Sequence, residues 1–322
     1  MFNIVGRRNL YFLLSGLIIL PGLIALLLWG LRLGIDFTGG SSIEVRVDKN
    51  PTPSEIRAVL AQNDHPEASV VTSSGPSGGT SYIIRTRALD TPAKNQLVSA
   101  LRTQFGSGPS DTAAVTEDRF ESVGPVVGAE TTREAIISVI AASLLILLYL
   151  SWAFRQVPKP WRYGACAVIA LLHDVLVVLG IWAILGRLFG LEVDALFVTG
   201  VLTVVGFSVH DTIVVFDRIR ENVARFPGES FERIVNFSVN QTLDRSLNTT
   251  LTVLFTLTAL LLLGGVTIRN FVLVLLVGIT SGTYSSIFNA SCLLVVWENG
   301  DLGRLSRRLT GRGAARPAAA AA

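Results

Sequence analysis

Asp211 lies in the run GFSVHDTIVVFDRIREN, residues 206–222, with apolar residues on both sides of it. A carboxylate at the centre of a membrane span costs roughly +2.5 to +3.5 kcal/mol on insertion scales, so such a group is either paired or used to bind and release an ion. Arg245 is the evident partner. Gln241, Arg245, Asn248/Thr249, Thr252 and Thr256 recur at helical spacing and form a polar stripe leading into the next apolar run. An Arg–Asp pair at matched depth would offset part of each group's desolvation cost, and separating it or admitting water would change the proton affinity of the acid. That is the minimum for a proton-operated switch. A static pair that only locks two helices would use the same residues.

Other polar residues share the apolar runs. His173 and Asp174 sit near the middle of the third run, where Asp174 is either a second proton-handling group or a packing residue satisfied by Ser or Thr of another span. His210 adjoins Asp211 but points about 100° away around a helix. Ser208 lies one turn earlier, and Gly206 would let a neighbouring helix approach closely. His173, Asp174 and His210 are metal-ligand types, but no metal-ligand spacing supports a site, and none is expected. Gly278, Ser281, Gly282, Ser285, Ser286 and Asn289 repeat every three or four residues, the pattern of a tight helix interface, here against the fourth span. No nucleophile–base constellation or phosphate-binding loop is present, so neither an enzyme nor a cofactor is expected.

The elements that must hold these residues are membrane spans. Half of the 322 residues are hydrophobic and only 16% are charged, which suits a polytopic membrane protein. The net charge of +3 does not mark a nucleic-acid binder, because Lys and Arg flank apolar runs instead of forming one basic face. Cys166 and Cys292 lie in apolar segments and imply no disulfide framework. Six runs approach or reach the roughly 20 residues that cross a bilayer: 10–31, 135–154, 163–185, 195–216, 247–263 and 271–297. The first is read as a retained anchor that Pro21 kinks. Arg7 and Arg8; Arg155, Lys159 and Arg162; Arg218, Arg220, Arg225 and Arg233; and Arg304, Arg307 and Arg308 fall on one side. The short loops opposite offer chiefly Arg187 and Arg269. By the positive-inside rule both termini are cytoplasmic and the long loop 32–133 is external. Asp211 then lies roughly 9 Å inside the cytoplasmic end of the fourth span. The charged stretch from Asp217 to about Arg245 is expected to form a cytoplasmic amphipathic connector between spans four and five.

The long loop reads as a folded α+β domain. Strands are expected at 42–47, 68–73, 82–87 and 112–123, with helices at 53–62 and 92–105, the second capped by Asp90 or Thr91. A Gly/Ser/Pro-rich turn at 75–79 joins the middle strands. The order βαββαβ is that of a ferredoxin-like domain. The organisation expected is a first span to residue 31, this domain over 32–133, spans two to six over 134–300 and a cytoplasmic tail over 301–322. The Ala-rich end of that tail, after Arg316, is low-complexity sequence. Gly34, Gly39 and Gly40 on entry and Gly124 and Gly128 on exit make hinges plausible, with ordinary turns as the alternative.

GIDFTGGSSIE at residues 34–44 resembles the junction signature of the SecD/SecF family. VGFSVHDTIVVFDRIREN and NQTLDRSLNTT, at 205–222 and 240–250, are similar to the signatures of its SecF branch around spans four and five. The resemblance covers the chain up to its tail and separates it from more distant members of the RND transporter superfamily. It implies six spans with one external domain in the bacterial cytoplasmic membrane. It also implies pairing with a SecD-like subunit, assistance to the SecYEG channel, and use of proton flow to draw unfolded polypeptide outward. On it, Asp211 corresponds to the membrane-embedded acid and Arg245 to its basic partner. Gly34, Asp36, Phe37, Gly39 and Gly40 fall in the junction motif, and Asp174 belongs to a His–Asp pair common in the family. His210 stands where related sequences often carry Asn. The alternatives are an RND-type exporter of small solutes or lipids that needs a partner half, and a structural membrane scaffold.

Overall fold

The structure, a computed structural model, describes residues 2–74, 80–106, 108–110, 112, 114–155 and 159–300. The turn expected at 75–79, the tail from 301 and its Arg304, Arg307 and Arg308 lie outside the described residues.

Helix α1 (Arg8–Trp29) leads through the short α2 (Ile35–Thr38) into a small α/β unit. That unit runs β1 (Gly40–Val47), α3 (Pro53–Gln62), β2 (Ser69–Ser74), β3 (Thr80–Thr86), α4 (Thr91–Phe105) and β4 (Val115–Val123), the βαββαβ order expected from the sequence. Thr52 and Glu55 form a reciprocal capping box at α3, and Asp90 Oδ1 accepts from Ala93 N at 2.9 Å to cap α4. The sheet order is β2-β3-β1-β4, with every pairing antiparallel. Alternation puts Ile43, Val45, Val47, Tyr82 and Ile84 on one face. There they bury Ile56 and Leu60 of α3 and Leu97 and Leu101 of α4.

Six helices among the described residues are long and apolar enough to cross a membrane. After α1 these are α5 (Pro125–Ala153), α6 (Pro160–Phe189), α7 (Ala195–Arg225) and α8 (Phe231–Leu263). The sixth span joins α9 (Val266–Tyr284), a π-helical segment (Ser285–Ala290) and α10 (Ser291–Glu298). Leu, Ile and Trp side chains along α1 and α5 remain exposed, as lipid-facing positions do in a multi-pass protein. Helix α5 starts ten residues before the apolar run, because Pro125 opens the helix directly after β4, and its first turns pack on α2.

The charged connector is not a separate helix. Helix α7 continues through the charges to Arg225 and α8 starts at Phe231, so only residues 226–230 lie between them. Asn222 is fully buried there and its Nδ2 donates to Ser238 Oγ at 2.8 Å and Gln241 Oε1 at 3.0 Å, clamping the two extensions together.

Helices α1 and α6 cross with their backbones in close approach. A Cβ on Gly180 would sit 2.6 Å from the Gly22 Cα, and backbone cannot swing away. Gly180→Leu is therefore expected to lower the melting temperature of the detergent-solubilised chain by several degrees. Gly16→Leu, whose Cβ meets nothing within 4 Å, leaves it unchanged.

Candidate functional site

Asp211 is 3% exposed, on the face of α7 turned toward α8 and α9. Among the described residues its Oδ2 accepts one hydrogen bond, from Thr283 Oγ1 of α9 at 3.2 Å. Thr283 Oγ1 is 2.7 Å from Thr250 Oγ1 of α8, so the donor order Thr250 to Thr283 to Asp211 links three spans through one carboxylate. The helix period sets this meeting. Ser238, Thr242, Ser246 and Thr250 recur every four residues on the buried face of α8, and Ser281, Thr283 and Ser285 lie on the inner side of the sixth span.

The pair expected between Asp211 and Arg245 is not formed within this chain. Among the described residues no ion pair of Arg245 lies within 4 Å, and Asp211 is met by Thr283 instead. The reason is helix phase. Ser246 occupies the buried face, so Arg245, one residue and about 100° away, is exposed. Gln241, Asn248, Thr249, Thr252 and Thr256 are exposed with it, so the stripe exists but faces outward. His210 of α7 is exposed as well. Gly206 makes no close approach, for a Cβ there meets nothing within 4 Å. The close α7–α9 contact instead uses Gly278 against Val204 and Gly282 against Ser208, the small-residue interface expected of the sixth span.

Asp174 is held quite differently. It is 1% exposed and accepts from Ser208 Oγ at 2.6 Å, Ser281 Oγ at 2.7 Å and Ser285 Oγ at 2.6 Å. His173 Nδ1 lies 3.0 Å from its Oδ1. Ser208 is anchored in turn, its carbonyl accepting from Ser286 Oγ at 3.0 Å, and Ser286 Oγ lies 2.8 Å from Thr212 Oγ1. Ser285 and Ser286 open the π-helical segment, whose wider turn aims consecutive serines at two helices, α6 and α7. This is the serine-satisfied arrangement that the sequence left open for Asp174. The structure does not bring together His173, Asp174 and His210, and no group of three or more candidate metal ligands occurs among the described residues.

The junction residues form a packed joint. Gly39 and Gly40 adopt φ of +71° and +119°, and a Cβ on Gly39 would come within 2.9 Å of Pro125. Phe37 packs on the cluster of Trp182, Phe197 and Val201. Asp36 Oδ2 accepts from Ala195 N at 2.8 Å, and Gly34 N donates to Val193 O at 2.7 Å.

Thr250 and Thr283 beside Asp211 were missed in the sequence because Ser and Thr in a helix also bond their own preceding carbonyls, as Thr212 does to Ser208, and so carry no signal of a shared site.

Known proteins give this geometry its setting. The description "Protein export membrane protein SecD/SecF, C-terminal" matches residues 108–300, and the SecD/SecF GG motif matches 29–51. The chain is 54% identical to the protein translocase subunit SecF of Thermobaculum terrenum, over 96% of this chain and 98% of that one. It is 45% identical to the protein translocase subunit SecF of Anaerolinea thermophila, over 94% and 96%. It also superimposes on the crystal structure of SecDF, a translocon-associated membrane protein from Thermus thermophilus, with a TM-score of 0.80 and 33% identity over 92% of this chain. It spans only 39% of that SecDF chain. Two signatures in order, a six-span bundle with its sheet after the first span, and relatives alike from end to end lead to one conclusion: the chain belongs to the SecD/SecF family of protein export membrane proteins.

Proposed function

We propose that this chain is a SecF-like, non-enzymatic subunit of the Sec translocase that works with a SecD-like subunit to couple the proton motive force to export of unfolded polypeptide through the SecYEG channel. Asp211 is the proton-carrying group in this reading and Arg245 answers its charge. The observation that carries it is the contrast between two buried acids. Asp174 accepts from three serine hydroxyls, whereas among the described residues Asp211 has a single hydrogen bond, at 3.2 Å. A carboxylate with few fixed donors is the one whose proton occupancy a small movement can change.

The exposed stripe supports a partner half. Polar side chains facing hydrocarbon are costly, and Arg245, Asn248, Thr249, Thr252 and Thr256 on α8, with His210 on α7, would be covered by a second six-span unit. The much greater length of the SecDF chain agrees with that need. In the bilayer both termini would be cytoplasmic and the sheet external. Exposed Arg225, Arg233 and Lys159 then crowd the cytoplasmic end, and Arg187 and Arg269 lie opposite. A small-solute exporter is less well supported, since the relatives similar along their whole length are named as translocase subunits. The test is gradient-stimulated secretion in membranes carrying this chain and a SecD-like partner, with Asp211 intact and with Asp211→Asn. Stimulation that survives the substitution rejects the proton role.

A further inference from the structure

Glu192 stands in the turn between α6 and α7, at the end of the bundle that meets the sheet. Its side chain is 8% exposed. Oε1 pairs with Arg85 Nη1 of β3 and lies 3.5 Å from Arg32 Nε, in the segment that follows α1. One carboxylate thus joins a sheet strand, the chain entering the sheet domain and the start of the span that carries Asp211.

The backbone around it is stitched to the same segment. Val193 N donates to Arg32 O at 2.8 Å, Gly34 N returns a bond to Val193 O, and Leu33 and Val193 form a parallel bridge. Trp182 Nε1 donates to Glu192 O at 3.0 Å, fixing the turn on α6. Asp194 Oδ1 caps α7 through Phe197 N at 2.7 Å, while Asp36 holds Ala195 N. Asp211 lies sixteen residues along α7 from Ala195, about 24 Å at 1.5 Å per residue, so a rigid helix connects the membrane acid to this joint.

We propose that Glu192 is the positioning residue of the coupling, its ion pairs with Arg85 and Arg32 passing movements of α7 to the sheet. The observation behind it is continuity: α7 carries the acid and starts beside a buried charge whose counter-charges belong to β3 and to the chain entering the sheet. Burial also sets the sign of disruption. Removing one partner of a buried ion pair leaves the other uncompensated, so the joint tolerates exchange of its charges better than loss of one. A mere staple would hold the sheet without distinguishing proton flow from secretion. A transmitting joint separates the two.

This inference rests on the proposed proton role of Asp211, and the experiment keeps the two apart. Full-length chain with its SecD-like partner is assayed for proton conductance and for gradient-stimulated secretion, as wild type, Asp211→Asn, Glu192→Gln and, with both ion pairs inverted, the exchanged pair Arg85→Glu and Arg32→Glu facing Glu192→Arg. Glu192→Gln is expected to keep conductance near wild type while stimulation falls about fivefold or more, the low end of ordinary coupling energies. The exchanged pair restores most of the stimulation. Unchanged stimulation in Glu192→Gln overturns the proposal, and so does a parallel loss of conductance and secretion. If Glu192→Gln does not accumulate, the exchanged pair decides, and an assembled exchanged pair that conducts without stimulating overturns the proposal. Retention of both activities by Asp211→Asn instead defeats the proton reading itself.

Discussion

Asp211→Asn is expected to remove the gradient-dependent part of secretion and to leave the folded chain almost unchanged. Asparagine has the shape of aspartate, and its Oδ1 still accepts from Thr283 Oγ1, so the Thr250–Thr283 link between α8 and α9 survives. The structural cost is one charge-assisted bond exchanged for a neutral one, about 1 kcal/mol or less. What disappears is the ionisable carboxylate within the fourth span. Stimulation should fall by at least about tenfold, the equivalent of ~1.4 kcal/mol. Melting temperature and co-purification of the SecD-like partner are the controls. Normal assembly with lost stimulation assigns the residue to coupling, and normal assembly with full stimulation makes it a helix lock.

Asp174→Ala behaves in the opposite way. Its carboxylate is the common acceptor for Ser208, Ser281 and Ser285, which come from two different spans. Truncation leaves three buried hydroxyls to find other partners, among them carbonyls of their own helices, and opens a void between α6, α7 and the π-helical segment. Unmade buried hydrogen bonds cost about 1–3 kcal/mol each, and partial recovery within the helices brings the sum to roughly 3 kcal/mol. The denaturation midpoint in detergent should fall accordingly. Asp174→Asn should cost less, because the amide oxygen still accepts and serine oxygens can accept from its NH2. A stable Asp174→Ala chain that lacks stimulation would move the proton-carrying role from α7 to α6.

These two acids also mark how far the sequence could be read. Its apolar periods placed six spans, put Asp211 within the fourth and gave the βαββαβ order, because 3.6- and 2-residue repeats follow directly from which side chains face a core. The partner of Asp211 was not legible. Helix α8 carries two polar stripes, Gln241–Arg245–Asn248–Thr252–Thr256 and Ser238–Thr242–Ser246–Thr250, and periodicity finds both without saying which one turns inward. Burial assigns that face to the hydroxyl stripe. The form of the connector was not legible for a related reason: charges end an apolar run but not a helix, and α7 continues past Asp217 while Asn222 ties it to α8. Gly206 shows that a small residue permits a close contact without creating one.

The separation of roles between Asp174 and Asp211 gives the account its physical shape. One acid, held by three hydroxyls, fixes α6, α7 and the sixth span as a unit. The other, sparsely bonded between α7, α8 and α9, sits where a movement of α8 or of a covering partner alters its surroundings. The junction at Gly34, Asp36 and Phe37 attaches the start of α7, the helix that carries Asp211, to the segment leading into the sheet.

The most direct test is proton flux across membranes that contain the chain with its SecD-like partner, compared between wild type and Asp211→Asn at equal protein content. Gradient-driven flux is expected in the wild type and flux at the protein-free level in the variant. Equal flux in both would contradict the proton role of Asp211.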